Sequence, residues 1–317
     1  MHILKAQQFD KKSLDEIFEL TDFMKSYPNS LQVRKNLILA SLFYEASTRT
    51  RFSFESAMLK LGGSVISTEN AQEFSSAAKG EILEDTIRVV SEYSDVIVLR
   101  HSEEGSAERA AKISSVPIIN AGDGSGQHPT QSLIDLYTIQ KECGEIDGKT
   151  IALIGDLSHS RTIHSLAYML TKYNVSHIYL VAPDFIQMKP ELIQHFDKHN
   201  VSWSISTRLK DVAADVDVFY QTRLQKERFK ARAEALRQLR TTAVDLYTEY
   251  QKIAHRYKID GSVLELMKSD ARILHPLPRL GEIAMEVDAD PRAAYFRQAR
   301  NGLYIRKALL LKVLNKI

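Results

Sequence analysis

The segment Phe43-Tyr-Glu-Ala-Ser-Thr-Arg-Thr-Arg51 packs three aliphatic hydroxyls and two guanidiniums between an apolar run and a helical pattern. A helix N-terminus presents unpaired N–H groups and the positive end of the macrodipole, so it favours an anion. Ser47, Thr48 and Thr50 add donors, and the fork of Arg49 matches phosphate geometry. The residues alone leave two readings open: a phosphate-type anion site, or a capped helix start with two solvated arginines. Lys79 ends the small-residue loop Ser75-Ser-Ala-Ala-Lys79, where it is either a point charge for a phosphate or an exposed loop lysine. Arg100 follows an apolar strand, at the carboxyl end where open α/β sheets bind ligands. His128 stands between a glycine-rich loop and Pro129, at another helix start, with Gln131 one turn on. That setting disfavours the imidazolium and suits a neutral ring donating to a carbonyl oxygen, although a solvated or capping histidine is the plainer alternative.

The second half offers Arg161 at the end of Gly155-Asp-Leu-Ser-His-Ser-Arg161, and Arg223 with Gln225 in Thr222-Arg-Leu-Gln225. Both segments follow strand patterns; taken alone, both arginines read equally as surface residues. Gly155–Arg161 lacks G-x-G-x-x-G, so a nicotinamide cofactor is not expected. His275-Pro-Leu-Pro-Arg279 is a rigid turn, because its prolines fix φ at two positions, and it contains Leu277 and Pro278.

These residues need a frame, and short apolar runs alternating with helical patterns supply one. The runs predict strands over Leu37–Phe43, Ser64–Ser67, Val96–Arg100 and Val116–Asn120, then Thr150–Ile154, His177–Val181, Ser202–Ile205, Val216–Tyr220 and Arg272–Leu274. Helical spacing is clear in Phe54–Leu61, Ile82–Tyr93 and Pro129–Cys143, and again in Ala293–Ala299 and Ile305–Leu314. Such alternation implies α/β architecture, two doubly wound parallel-sheet domains. The helix from Pro129 to Cys143 is the natural seam. Residues 226–258, rich in Arg, Lys and Glu, read as a solvated amphipathic helical stretch rather than a nucleic-acid surface.

Bulk composition narrows the function classes. The 317 residues suffice for two cores. A net charge of +2 gives no reason to expect a nucleic-acid or membrane partner. Cys143 is the only cysteine, which excludes an intrachain disulfide and argues against a cysteine-based zinc site. No leader-like or membrane-length apolar run is present, so a cytoplasmic location is expected.

The run F-x-E-x-S-T-R-T at residues 43–50 resembles, without a gap, the signature of the aspartate/ornithine carbamoyltransferase family. The S-x-x-x-K-G-E loop, the H-P-T-Q element at 128–131, Arg161, the T-R-L-Q element at 222–225 and the H-P-L-P-R turn follow in the family's order. Ala46 and Ser160 depart from the commoner proline and glycine, and the region after Arg228 does not map residue by residue. The resemblance implies carbamoyl phosphate on Ser47, Thr48, Arg49, Thr50, Arg100 and Gln131. It implies Ser75 and Lys79 reaching into a neighbouring subunit's site, hence a homotrimer with shared active sites. His128, with Thr50 and Arg100, would polarise the carbonyl, and Glu45 would bridge to arginines of the second domain. L-aspartate would lie on Arg161, Arg223 and Gln225, with backbone carbonyls from Leu277 and Pro278. Pro276, where ornithine-using members carry cysteine, favours an acidic acceptor over ornithine. The layout the resemblance implies is a carbamoyl phosphate domain at 1–135, with a C-terminal helix from about 292 to 317 packed back on it, and an aspartate domain at 136–291, with the active site in the cleft between them. No cofactor or metal is implied, the pathway is pyrimidine biosynthesis, and any zinc-binding regulatory partner is a separate chain. A catalytically silent carbamoyl phosphate-binding homologue stays open as an alternative.

Overall fold

The computed structural model describes residues 1–33, 36–71, 80–224, 250 and 253–314. The chain divides into two compact units. One comprises Met1–Thr138, Arg161–Lys172 and Arg297–Ile317; the other comprises Ile139–Ser160 and Tyr173–Phe296.

In the first unit, β1 (Ile38–Phe43), β2 (Ser64–Glu69), β3 (Val96–His101) and β4 (Ile118–Asp123) form a parallel sheet in the order β2-β1-β3-β4. Its helices are α1 (Lys11–Ser26), α2 (Thr48–Lys60), α3 (Leu83–Ser91), α4 (Ser106–Ile113) and the start of α5 (Pro129–Cys143). Every residue of β1 after Ile38 is buried, because a strand covered on both faces needs a continuous apolar run rather than an alternation. The edge strand β2 buries none. The N-terminus closes the other edge: Ile3 donates to Ile118 O and accepts from Asn120 N.

The second unit holds β5 (Thr150–Ile154), β6 (His177–Val181), β7 (Trp203–Ser206), β8 (Val218–Gln221) and β9 (Arg272–Leu274), all parallel, in the order β7-β6-β5-β8-β9. After β5 comes α6 (Arg161–Leu170), which packs in the first unit, and after β6 comes α7 (Pro190–Lys198). Ala152, Ile154, Val181, Phe219 and Ile273 form the centre of this unit's core. The strand order reverses between β1 and β3 in one sheet and between β5 and β8 in the other. Neighbouring crossovers leave in opposite directions at such points and open a crevice at the carboxyl ends of the strands.

Two expectations change. The fourth strand begins later and runs to Asp123, although Asn120-Ala-Gly-Asp123 has a loop composition. Asn120 explains this: its Nδ2 donates to Leu4 O and its Oδ1 accepts from Gly122 N, so the polar side chain completes the pairing. The two C-terminal helical patterns are one helix, α8 (Tyr295–Val313). It passes through Gly302, where a Cβ would come within 2.9 Å of Arg306 Nη1 and 3.1 Å of Ile134 Cδ1. The glycine weakens the helix by about 1 kcal/mol relative to alanine but admits this close packing. Most of the charged stretch 226–258 lies outside the described residues; Tyr250 and residues 253–255 are helical. Among the described residues, no helix is long and apolar enough to cross a membrane.

Candidate active site

The first sheet's reversal point carries the opening motif. Tyr44 N donates to Arg100 O at 2.9 Å, fastening the ends of β1 and β3 together. Glu45 and Ala46 turn the chain, and Ser47, in extended conformation with φ −159°, is the N-cap of α2. Its hydroxyl makes no capping bond, so the first-turn N–H groups have no side-chain cap from it. Thr48 and Arg49 are exposed and Thr50 is buried. Arg51 belongs elsewhere, paired with Glu69 at 3.1 Å and Glu55 at 3.8 Å.

Glu45 joins two arginines that are distant in sequence. Its Oε2 accepts from Arg161 Nη2 at 2.9 Å and lies 3.3 Å from Arg100 Nε. Arg161 Nη1 also donates to Gly124 O at 3.0 Å. The guanidinium lies against Gly122, whose φ is +117° and where a Cβ would come within 3.0 Å of Arg161 Cζ. A side chain at 122 would therefore displace the arginine. Burial, and then repulsion from Arg161, lower the Arg100 pKa to about 10, with Glu45 partly offsetting them.

His128 precedes α5 and is 4% exposed. Its N–H donates to Ser165 Oγ at 2.8 Å, and its Nδ1 lies 3.4 Å from Thr130 Oγ1. Burial, and then the charges of Arg161, Arg100 and Arg306, hold its pKa well below the ordinary histidine value. The ring is neutral at physiological pH. Gln131 Nε2 donates to Asp135 Oδ1 at 2.7 Å, and Gln298 Nε2 reaches the same oxygen at 2.7 Å.

Arg306 on α8 is the residue that motif reading missed. It is 4% exposed, donates through Nη1 to Ser53 Oγ, and stacks 4.9 Å from the Phe54 ring centroid. Its Nε is buried without a hydrogen-bond partner among the described residues. Burial lowers its pKa to about 9, with Asp135 acting in the opposite direction. The only sequence signal was an arginine inside the apolar run Ile305–Leu311.

In the second unit, the loops after β5 and β8 meet at that sheet's reversal point. Gly155 has φ +120°, and a Cβ there would come within 2.4 Å of Thr222 Oγ1 and 2.6 Å of Thr222 O. Asp156 N donates to Arg223 O at 3.3 Å, and the buried Asp156 carboxylate accepts from Ser158 Oγ and His159 N, both at 3.0 Å. The Arg223 side chain is exposed. Leu277 adopts φ +55° and donates its N–H to His275 Nδ1 at 2.7 Å, while His275 Nε2 meets Glu282 Oε1 at 2.7 Å. Pro278 is exposed. Ser75, Lys79 and Gln225 lie outside the described residues.

An uncapped helix start, clustered arginines and a neutral buried histidine suit an anion with a polarisable carbonyl. Family comparison agrees. The family model of the carbamoyl-P binding domain of aspartate/ornithine carbamoyltransferases matches residues 1–141, and that of the Asp/Orn binding domain matches residues 147–313. The chain belongs to the aspartate/ornithine carbamoyltransferase family. Within this family it is 53% identical to aspartate carbamoyltransferase 3, chloroplastic, of Pisum sativum, over 97% of this chain and 76% of the relative. It is 45% identical to the aspartate carbamoyltransferase catalytic subunit of Thermoplasma acidophilum, over 98% and 97%. The aspartate transcarbamoylase of Trypanosoma cruzi, solved with carbamoyl phosphate and aspartate, superposes with a TM-score of 0.87 at 38% identity, over 98% of this chain and 94% of that one. Of the family residues read from the sequence, the first unit gathers Arg100, Arg161 and His128 in one electrostatic cluster, with Arg49 close enough to act on Arg100.

Proposed function

We infer that this chain is an aspartate carbamoyltransferase, which moves the carbamoyl group of carbamoyl phosphate to the α-amine of L-aspartate. The products are N-carbamoyl-L-aspartate and phosphate, an early step of pyrimidine biosynthesis. The observation that carries this reading is the neutral, buried His128 in the field of Arg100 and Arg161, together with the uncapped start of α2. Domain 1–135, with the C-terminal helix, binds carbamoyl phosphate, and 136–291 binds aspartate.

Ser47, Thr48, Arg49 and Thr50 hold the phosphate at the N-terminus of α2, where the dipole and N–H groups stabilise an anion. Gln131, oriented by Asp135, receives the carbamoyl amide. Arg161, Arg223 and Gln225 bind the aspartate carboxylates, with the carbonyls of Leu277 and Pro278 toward the amine. The amine attacks the carbonyl carbon, and negative charge grows on its oxygen. Thr50, Arg100 and neutral His128 stabilise that oxyanion, an effect worth several kcal/mol when the donors are preorganised. The carbon–oxygen bond to phosphate then breaks; Arg49 and Lys79 balance the departing charge, and the phosphate takes the amine proton. Glu45 holds Arg100 and Arg161 in place for aspartate to engage. Arg49→Ala should lower turnover by orders of magnitude, and near-native activity would overturn the assignment. Carbamoylation of L-aspartate but not L-ornithine is expected, and the reverse preference would establish the ornithine reaction.

The active assembly is a homotrimer, with Ser75 and Lys79 donated across subunits. Mixing Lys79→Ala with Arg49→Ala chains should restore activity through hybrid sites, and no recovery would mean that each chain works alone.

A further inference from the structure

The second unit carries a cavity of about 160 Å³ lined by Arg208, Lys210, His255, Arg256, Lys258 and Asp260. None of these residues has a part in the carbamoyl transfer. Its floor is fixed: Leu209 N donates to Arg256 O at 3.2 Å, and Leu209, Tyr257 and Ile259 are buried in the core. Burial of Tyr257 and Ile259 leaves the alternate positions, Arg256 and Lys258, on the solvent side, exposed and half-buried respectively.

Two carboxylates, Asp260 and Asp211, stand beside these cations. Asp260 Oδ1 accepts from Ser262 N, Val263 N and Ser262 Oγ, the first two as a helix cap. Asp211 lies 3.9 Å from Arg208, too long for a hydrogen bond. Lys210 acts electrostatically on Asp260, whereas Arg256 and Lys258 form no ion pair with another described residue. Four permanent cations outnumber the carboxylates of Asp260 and Asp211, so the concavity keeps a net positive charge that an occupant of opposite charge relieves.

We propose that this cavity is a second anion site, which takes the oligophosphate group of a small molecule. The volume equals about five waters at ~30 Å³ each, enough for linked phosphates. Guanidinium and ammonium groups suit phosphate oxygens. Among the described residues the lining contains no Phe, Tyr or Trp on which a nucleobase could stack, so recognition rests on the phosphate chain. This inference stands independently of the reaction assigned above.

The test is calorimetric titration with sodium tripolyphosphate and with ATP, both on the Arg49→Ala chain, which silences the anion site of the first unit. One site per chain is expected, weakening as salt is raised. Adding Arg256→Gln and Lys258→Gln should reduce affinity at least about tenfold, since charge-assisted hydrogen bonds are lost. The same two changes in an otherwise unaltered chain should leave turnover intact, which also shows that the protein still folds. Equal binding of both ligands assigns the site to the free oligophosphate, and tighter ATP binding assigns it to a nucleotide tail. No binding to the Arg49→Ala chain, or binding that survives the double substitution, overturns the proposal.

Discussion

Replacing Arg306 with methionine should leave a protein at least as stable as the wild type but slower. Burying this cation costs stability. Its pKa falls from the ordinary 12.5 to about 9. At 1.36 kcal/mol per unit, that opposes folding by about 5 kcal/mol at neutral pH, where the group remains charged. Solvent screening gives little relief, because the residue is 4% exposed. The bond to Ser53 returns roughly 1.5–3 kcal/mol and the face of Phe54 about 2. Methionine fills similar space and loses both returns along with the cost, so the net change should lie between zero and about 2 kcal/mol of added stability. Catalysis should move the other way. Arg306 is one of three arginines whose charge disfavours protonation of His128. Without it the ring's pKa rises and the positive field around the reacting carbonyl weakens, which should lower kcat roughly tenfold, less than loss of a direct oxyanion donor. Urea denaturation, steady-state assay and NMR titration of His128 read the three effects, and Arg306→Lys, which retains charge, should keep most of the activity. Destabilisation by more than about 2 kcal/mol, or unchanged turnover, would refute the account.

Stability should also fall in acid. The unfolded chain protonates His128 below about pH 6.5 while the folded chain holds it neutral, so the unfolded state binds the extra proton and gains. The slope approaches about 1.4 kcal/mol per pH unit, and His128→Asn should remove it from the difference between denaturation curves at pH 6.5 and 5.5. Gly155→Ala should cost roughly 2–6 kcal/mol, combining a φ of +120° with a Cβ 2.6 Å from a backbone oxygen; the chemical denaturation midpoint measures it. Gly122→Ala should displace Arg161 and raise KM for aspartate more than it lowers kcat, as a kinetic comparison at saturating carbamoyl phosphate would show.

What the sequence made legible was local. Strands covered on both faces must be apolar throughout, so runs such as Thr150–Ile154 and His177–Val181 announce themselves, and both match the observed strands at each end. The phosphate motif was equally readable, because its hydroxyls and arginines are contiguous and their meaning depends on one helix start. The features that escaped depend on partners far along the chain. Asn120 belongs to a strand only because Ile3 and Leu4 come to pair beside it. Glu45 and Arg161 are 116 residues apart, so motif order names each without showing their 2.9 Å contact. Arg306 is the extreme case. Nothing within its own helix requires an arginine, and solvent exposure would be its ordinary fate. Its burial follows from Gly302 admitting Ile134 and the Arg306 tip together, and its effect is exerted on a histidine 178 positions earlier. A charge retained at a cost of several kcal/mol, where an apolar residue would fit, calls for a function. Arg306 adds to the burial and to the charges of Arg161 and Arg100 that together disfavour protonation of His128.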